Sequence, residues 1–284
     1  MSRLTAGLRA VVLLAAMPAP GLAQVTPGRV VWHDLVTRNL PVSRAFYGAL
    51  FGWTWRAPSL SKDLVYVVGE RAGVAMAGIA SSRDGKLNAS QWITFFAVDN
   101  VRRSAQLAVD SGATVIVAPM RTGSWNDDAV LLTDPQGAPF ALMRPGQDPR
   151  DLPAQINGWL WVELWTNDLD RASGFYGNLL GWTRRAVTVG GTEYQRFDRD
   201  STPMAGLVAL PVRDVHPNWL PTIRVADVNA TLRQAVALGG RVILAPRADM
   251  RNGTVAIIGD PTGAALAVQQ WDDPLPPVTR DSQP

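Results

Sequence analysis

The segment VWHDLVTRNLPVSRAFYGALFGW, Val31 to Trp53, returns 129 residues later as LWVELWTNDLDRASGFYGNLLGW, Leu160 to Trp182. A chain that writes one unit twice is expected to fold as two like units on one local plan. Phe46-Tyr47-Gly48 matches Phe175-Tyr176-Gly177, and Gly52-Trp53 matches Gly181-Trp182. Further on, Met76-Ala77-Gly78 matches Met204-Ala205-Gly206, Trp92 matches Trp219, and Asp134-Pro135-x-Gly137 matches Asp260-Pro261-x-Gly263. The join, Pro145 to Asn157, holds three prolines among polar residues and suits an extended linker. The expected organisation is a unit over 27–148, a linker at 149–155, a second unit over 156–273 and a Pro-rich, disordered tail at 274–284.

Within each unit, period and punctuation give one series of elements. Val30 to Thr37 alternates as a strand, and Pro41 to Leu50 carries Val42, Ala45, Phe46, Ala49 and Leu50 at helical spacing, with Gly52 as the stop. Short strands follow around Thr54–Arg56, Leu64–Val68 and Val74–Ala80. Trp92–Val98 then leads into a helix over Val101–Val109, and strands near Thr114–Val117, Val130–Thr133 and Phe140–Met143 close the unit. The Asp-Pro-x-Gly segment is a turn with Pro at its second position, where the Asp carboxylate accepts backbone N–H groups. Each unit therefore reads as βαβββ twice, an α+β arrangement.

The first 23 residues carry Arg3 and Arg9, an apolar run from Ala10 to Met17 and the small-x-small site Gly21-Leu22-Ala23, which reads as a secretory signal. Eight apolar residues are too few for a bilayer core that needs roughly 20, so the expectation is a secreted or periplasmic protein with no membrane contact after signal removal. The net charge of +3 includes those two arginines, and no basic stripe interleaved with aromatics is present, which argues against nucleic acid. The absence of cysteine removes disulfides, thiolate nucleophiles and Cys-metal sites together. With 47% hydrophobic and 18% charged residues, the chain has the balance to hold itself by packing.

The helix ending Phe-Tyr-Gly-x-Leu-x-Gly-Trp in both repeats, and the Asp-Pro-x-Gly turn before each last strand, resemble the vicinal oxygen chelate superfamily of glyoxalases, bleomycin-resistance proteins and extradiol dioxygenases. The resemblance covers about 240 residues and is greatest to the tandem, two-domain subgroup. It implies that paired βαβββ modules form two open, eight-stranded, cup-like barrels whose inner faces hold the ligand. It also implies where a divalent metal would be held. The first-strand ligand position, fifteen residues before the Tyr of Phe-Tyr, falls on Trp32 and Trp161; the position on the strand opening the second module falls on Ile93 and Leu220; the last-strand Glu falls on Ala141 and Ala267. None of these side chains ligates metal, so no metal and no cofactor is expected.

Strand alternation places Asp34 beside Trp32 and Glu163 beside Trp161 on the cup face, and turns His33 toward the helices. A carboxyl in an apolar cup has its pKa raised by desolvation and is a candidate general acid or base, Asp34 and Glu163 alike. Trp165 and Arg224 are further candidates for the wall, with Tyr66, Tyr194 and Arg196 near the same cavities, and Arg224 is placed to pair Glu163 or grip an anion. His216 is read as a solvated loop residue. The leading expectation is an exported, metal-free protein that binds a small, partly aromatic molecule in one or both cups through Trp32, Asp34, Trp161, Glu163, Trp165 and Arg224. The alternatives are a lyase- or dioxygenase-type enzyme, using Asp34 or Glu163 or an atypical metal site, and a protein whose cups are filled. A pseudo-symmetric tandem chain is expected to be a monomer.

Overall fold

The computed structural model describes residues 26–56, 59–60, 64–82, 89–121, 128–145, 155–189, 191–210 and 216–271. The signal expected at 1–23 and the tail at 274–284 lie outside the described residues, as does all but residue 155 of the 149–155 linker. The first repeat runs β1 (Val30–Val36), α1 (Leu40–Phe51), β2 (Thr54–Trp55), β3 (Ser59–Leu60), β4 (Leu64–Arg71), β5 (Val74–Ser82), β6 (Gln91–Ala97), α2 (Val101–Asp110), β7 (Thr114–Arg121), β8 (Asp128–Thr133) and β9 (Pro139–Met143). The second runs β10 (Trp159–Thr166), α3 (Leu169–Leu180), β11 (Thr183–Val189), β12 (Thr192–Arg199), β13 (Thr202–Ala209), β14 (Asn218–Val225), α4 (Val228–Ala237), β15 (Arg241–Leu244), β16 (Val255–Gly259) and β17 (Ala265–Gln270), with a short 3-10 turn at Arg251–Gly253.

Each repeat makes one sheet, in the order β2-β4-β5-β1-β6-β9-β8-β7 for the first, with β3 added on β4, and β11-β12-β13-β10-β14-β17-β16-β15 for the second. The two modules of a repeat meet in the middle, where β1 runs antiparallel to β6 and β10 antiparallel to β14, while β1/β5, β6/β9, β10/β13 and β14/β17 are parallel. The fold is α+β, as the alternation and helical spacing predict. The helices start on polar caps: Asn39 accepts from Val42 N–H, and Asp168 accepts from Asp170 and Arg171 N–H. Gly52 and Gly181 end α1 and α3 in the left-handed conformation, each at φ 71°.

The helices of one repeat pack against the helices of the other. Leu40, Phe46, Leu50 and Phe51 of α1 share one buried cluster with Val228, Leu232 and Ala235 of α4, and Val101, Ala105 and Ala108 of α2 share another with Ala172, Phe175, Tyr176 and Leu179 of α3. The helix layers therefore lie between the two sheets, and the opposite sheet faces are the cups. Aromatic residues cross the same boundary: Trp159 packs on His33, Trp53 and Trp92, while Phe96 and Phe140 pack among Tyr176, Trp182 and Trp219.

Polar chains run through these cores. Trp219 Nε1 donates to Tyr176 OH at 2.9 Å, and Tyr176 OH donates to Asp134 Oδ2 of the other repeat at 3.1 Å. The same device is repeated as Trp92 Nε1 to Tyr47 OH at 3.1 Å, with Tyr47 bonded to Asp260. Each turn aspartate also accepts from its own turn: Asp134 Oδ1 from Gln136 and Ala138 N–H, and Asp260 Oδ1 from Thr262 and Ala264 N–H. Both carboxyls are buried. The turn role is the one the spacing predicts; the inter-repeat partner is additional.

Two outcomes follow from this shared interior. Thermal unfolding of the whole chain is expected as a single cooperative transition by calorimetry, because neither sheet buries its helix face without the other; two separated transitions contradict the shared core. Tyr47→Phe and Tyr176→Phe each strip a donor from a buried carboxyl and an acceptor from a buried indole, and each is expected to lower urea-unfolding stability by roughly 1–3 kcal/mol.

Candidate ligand site in the second cup

Both cups are built on one triad. In the first, Tyr66 OH donates to Asp34 Oδ1 at 2.8 Å and Trp32 Nε1 donates to the same oxygen at 2.7 Å. In the second, Tyr194 OH donates to Glu163 Oε1 at 2.6 Å, and Trp161 Nε1 donates to Tyr194 OH at 2.9 Å. The glycine of the repeated Met-Ala-Gly motif makes room for this contact. A Cβ at Gly78 would collide with Asp34 Oδ1 and Tyr66 OH, and one at Gly206 would collide with Tyr194 OH.

Among the described residues the face of the first cup is lined by buried side chains. Trp32, Tyr66, Ile93, Phe95, Leu131, Ala141 and Met143 form one buried cluster across its face. Asp34 is 3% exposed, and burial pushes its carboxyl up to about 6 against the opposing hydrogen bonds from Tyr66, Trp32 and the Gly78 backbone. His33 turns to the helix side as alternation predicts. Its Nδ1 lies 3.2 Å from Thr94 Oγ1, and burial lowers its pKa to about 3, so the ring is neutral.

The second cup holds a cavity of about 150 Å³. Its apolar wall includes Val189, Val208, Leu220, Leu244, Met250, Val255, Ile257 and Ala267, with Trp165 along one side and Glu163, Tyr194 and Arg251 as the polar corner. Trp165 Nε1 donates to Glu163 Oε2 at 3.3 Å. Arg251 Nη2 pairs with Glu163 Oε1, while Nη1 donates to Gln269 Oε1 at 2.6 Å. The guanidinium carbon lies 5.1 Å from the centre of the Tyr194 ring. Burial lowers the Arg251 pKa to about 10, which leaves it cationic at neutral pH.

Of the residues singled out in the sequence, the structure brings Glu163 and Trp165 to the cavity wall. Trp161 stands behind it, bonded to the wall residue Tyr194. Trp32 and Asp34 lie in the closed first cup, and His216 is exposed. Arg224 sits on β14 two residues past Thr222, with its backbone paired to Gly158 and Asn157, and is not among the lining residues. The cation that pairs Glu163 is Arg251 instead. Arg251 and Asn252 adopt left-handed backbone at φ 47° and 53°, a conformation costing roughly 1–2 kcal/mol per non-glycine residue. Nothing in the local sequence marks it: Arg251 lies outside the repeated motifs, in the connection from β15 to β16. A left-handed arginine held by Glu163, Gln269 and Tyr194 is recognisable only in three dimensions.

The positions where the resemblance places metal ligands do converge on the cups: Trp32 faces Phe95 beside Ala141, and Trp161 faces Thr222 beside Ala267. The donor set there does not fit a divalent cation. Indole, alkyl and methyl groups occupy the positions, Asp34 is engaged by O–H and N–H donors, and a guanidinium stands against Glu163. No cluster of three His, Asp or Glu side chains suited to a metal occurs among the described residues.

Comparison with known proteins agrees with this architecture. Residues 158–268 match the Glyoxalase/Bleomycin resistance protein/Dioxygenase superfamily, and residues 30–143 match the Glyoxalase-like domain. The anthracycline biosynthesis protein DnrV of Streptomyces peucetius is 30% identical over 90% of this chain and 98% of its own. The putative glyoxylase CFP32 of Mycobacterium tuberculosis is 28% identical over 88% of this chain and 97% of its own. In fold, the chain is similar to the Mn(II)-bound glyoxalase from Novosphingobium aromaticivorans, with TM-score 0.58 and 14% identity over 89% of this chain and 85% of that one. It is equally similar to homoprotocatechuate 2,3-dioxygenase from Brevibacterium fuscum, with TM-score 0.58 and 13% identity over 93% of this chain and 86% of that one. With two matching domains in tandem, the chain belongs to the glyoxalase/bleomycin resistance protein/dioxygenase superfamily.

Proposed function

We propose that the chain is a metal-independent binder of a small, partly aromatic molecule, held in the cup of the second repeat. The observation that carries this reading is the cavity itself: about 150 Å³, mostly apolar, with one indole wall and one polar corner. A mostly apolar cavity of about this size accepts a single benzene-sized ring. An indole on the wall offers offset or edge-to-face packing to such a ring. In this reading the family's metal ligands are lost, the first cup serves as core, and the signal at 1–23 exports a monomer beginning near Gln24.

Titration with single-ring aromatics, followed by indole fluorescence and calorimetry, is expected to show saturable binding that is unchanged by chelator. Leu220→Trp, which fills the cavity from a former ligand position, is expected to abolish binding in a folded protein. Trp165→Ala is expected to weaken it by roughly 0.5–1.5 kcal/mol through the lost ring contact. Binding that survives Leu220→Trp unchanged places the ligand elsewhere.

The first cup makes its own prediction. Native Asp34 binds its proton more tightly than the unfolded chain does, its pKa pushed up by burial to about 6 from an ordinary 3.8. Its ionisation therefore opposes folding: the contribution of Asp34 to stability is greatest below about pH 4, falls by about 3 kcal/mol between pH 4 and 6, and stays lower above, opposite in sign to that of buried neutral His33 over the same range. Asp34→Asn keeps an oxygen to accept from Trp32 and Tyr66 and is expected to remove that fall. Denaturant titrations of both proteins across pH 4–7 check it, and parallel profiles contradict it.

A further inference from the structure

The polar corner of the second cup has more hydrogen-bond donors than acceptors. Glu163, the acceptor, is largely engaged: Oε1 accepts from Tyr194 OH and Arg251 Nη2, and Oε2 accepts from Trp165 Nε1. A carboxylate offers about four acceptor sites. Arg251 is in the opposite position. Of its five N–H donors, one meets Glu163 and one meets Gln269 Oε1, while the side chain lines the cavity. Because arginine can only donate, Gln269 must turn its oxygen to Arg251, and its Nε2 is then left buried with no hydrogen-bond partner. Gln269 is 1% exposed, so bulk water does not satisfy that amide.

The other carboxylates on the wall do not offset this surplus. Asp249 is exposed and paired to Arg247, and Glu193 is exposed and accepts from Gln195, so both stand in water where charge is screened. We infer that the second cup selects a ring bearing a hydrogen-bond acceptor, a carboxylate or carbonyl oxygen, which Arg251 receives while Gln269 positions the guanidinium. This rests on the reading of that cup as an aromatic site and names the chemistry of its ligand. It also reverses the simplest expectation from sequence, in which Glu163 would receive a donor on the ligand.

Ligand-observed NMR and calorimetry with benzoate, benzamide, benzylamine and toluene test it on the full chain. Wild-type protein is expected to bind benzoate and benzamide about tenfold more tightly than benzylamine or toluene, the gain of a hydrogen bond to a charged donor. The variant Arg251→Met with Glu163→Gln removes both charges together, and is expected to retain toluene binding and lose the preference. Should that variant fail to fold, Gln269→Leu gives the same reading: a positioning role lowers the benzoate-to-toluene ratio with toluene affinity unchanged, whereas a merely structural role lowers both alike. Benzylamine binding as tightly as benzoate, or a preference that survives loss of Arg251, overturns the inference while leaving the aromatic site intact. If none of the four compounds binds, the aromatic site itself is refuted, and the inference with it.

Discussion

The tyrosine at the inner face of α1 and of α3 holds the molecule together, because each reaches a buried carboxyl in the other repeat. Tyr176 takes a proton donor from Trp219 and gives its own to Asp134; Tyr47 does the same between Trp92 and Asp260. A buried carboxylate is tolerated only when its lone pairs are met; two backbone N–H groups and one phenol meet those of Asp134, and the Ser43 and Thr262 hydroxyls add to the same set at Asp260. Around these chains, aromatic rings from both repeats interdigitate, so the helix layers have one interior rather than two. Both cups face outward as a result, and their contents can diverge without disturbing what joins the repeats.

That divergence is readable position by position. A Trp, a Tyr, a carboxyl and a glycine recur at matching positions in both cups, with the indole donating to Asp34 in the first and to Tyr194 in the second. Phe95 and Met143 of the first cup stand where the second has Thr222 and Gln269; among the described residues the first cup presents a buried apolar cluster, while the second keeps a cavity. Asp34 is one methylene shorter than Glu163 and meets only neutral donors; Glu163 reaches Arg251. Trp165 of the second cup replaces Val36 of the first and supplies the aromatic wall. Among the described residues the two copies thus differ: one presents a buried apolar face, the other a charged corner on an apolar chamber.

The repeat, the helices and the turn aspartates were legible because each rests on spacing within a few residues. α1 extends one residue beyond the expected helix at each end, and its glycine stop falls where the pattern places it. The cup phase of Trp32, Asp34, Trp161 and Glu163 follows from strand alternation alone. What alternation leaves open is whether neighbouring strands fill the space, which depends on Phe95 and Met143 arriving from β6 and β9. Arg224 looked the natural partner for Glu163 since it shares a strand face with Leu220. Arg251 takes that role from a connection with no period and no motif, through a left-handed backbone that its side-chain contacts support. The sharing of one core by α1 with α4 and α2 with α3 was equally hidden, because an amphipathic helix shows an apolar face whoever its partner is.

The asymmetry between the cups is the claim on which the rest turns. Crystals held under xenon test it directly, since xenon settles against apolar cavity walls without needing a polar contact. Xenon density is predicted in the second cup among Trp165, Leu220, Ile257 and Ala267, with none between Trp32, Tyr66 and Phe95 of the first. Equal occupancy in both cups, or an empty second cup, would contradict it.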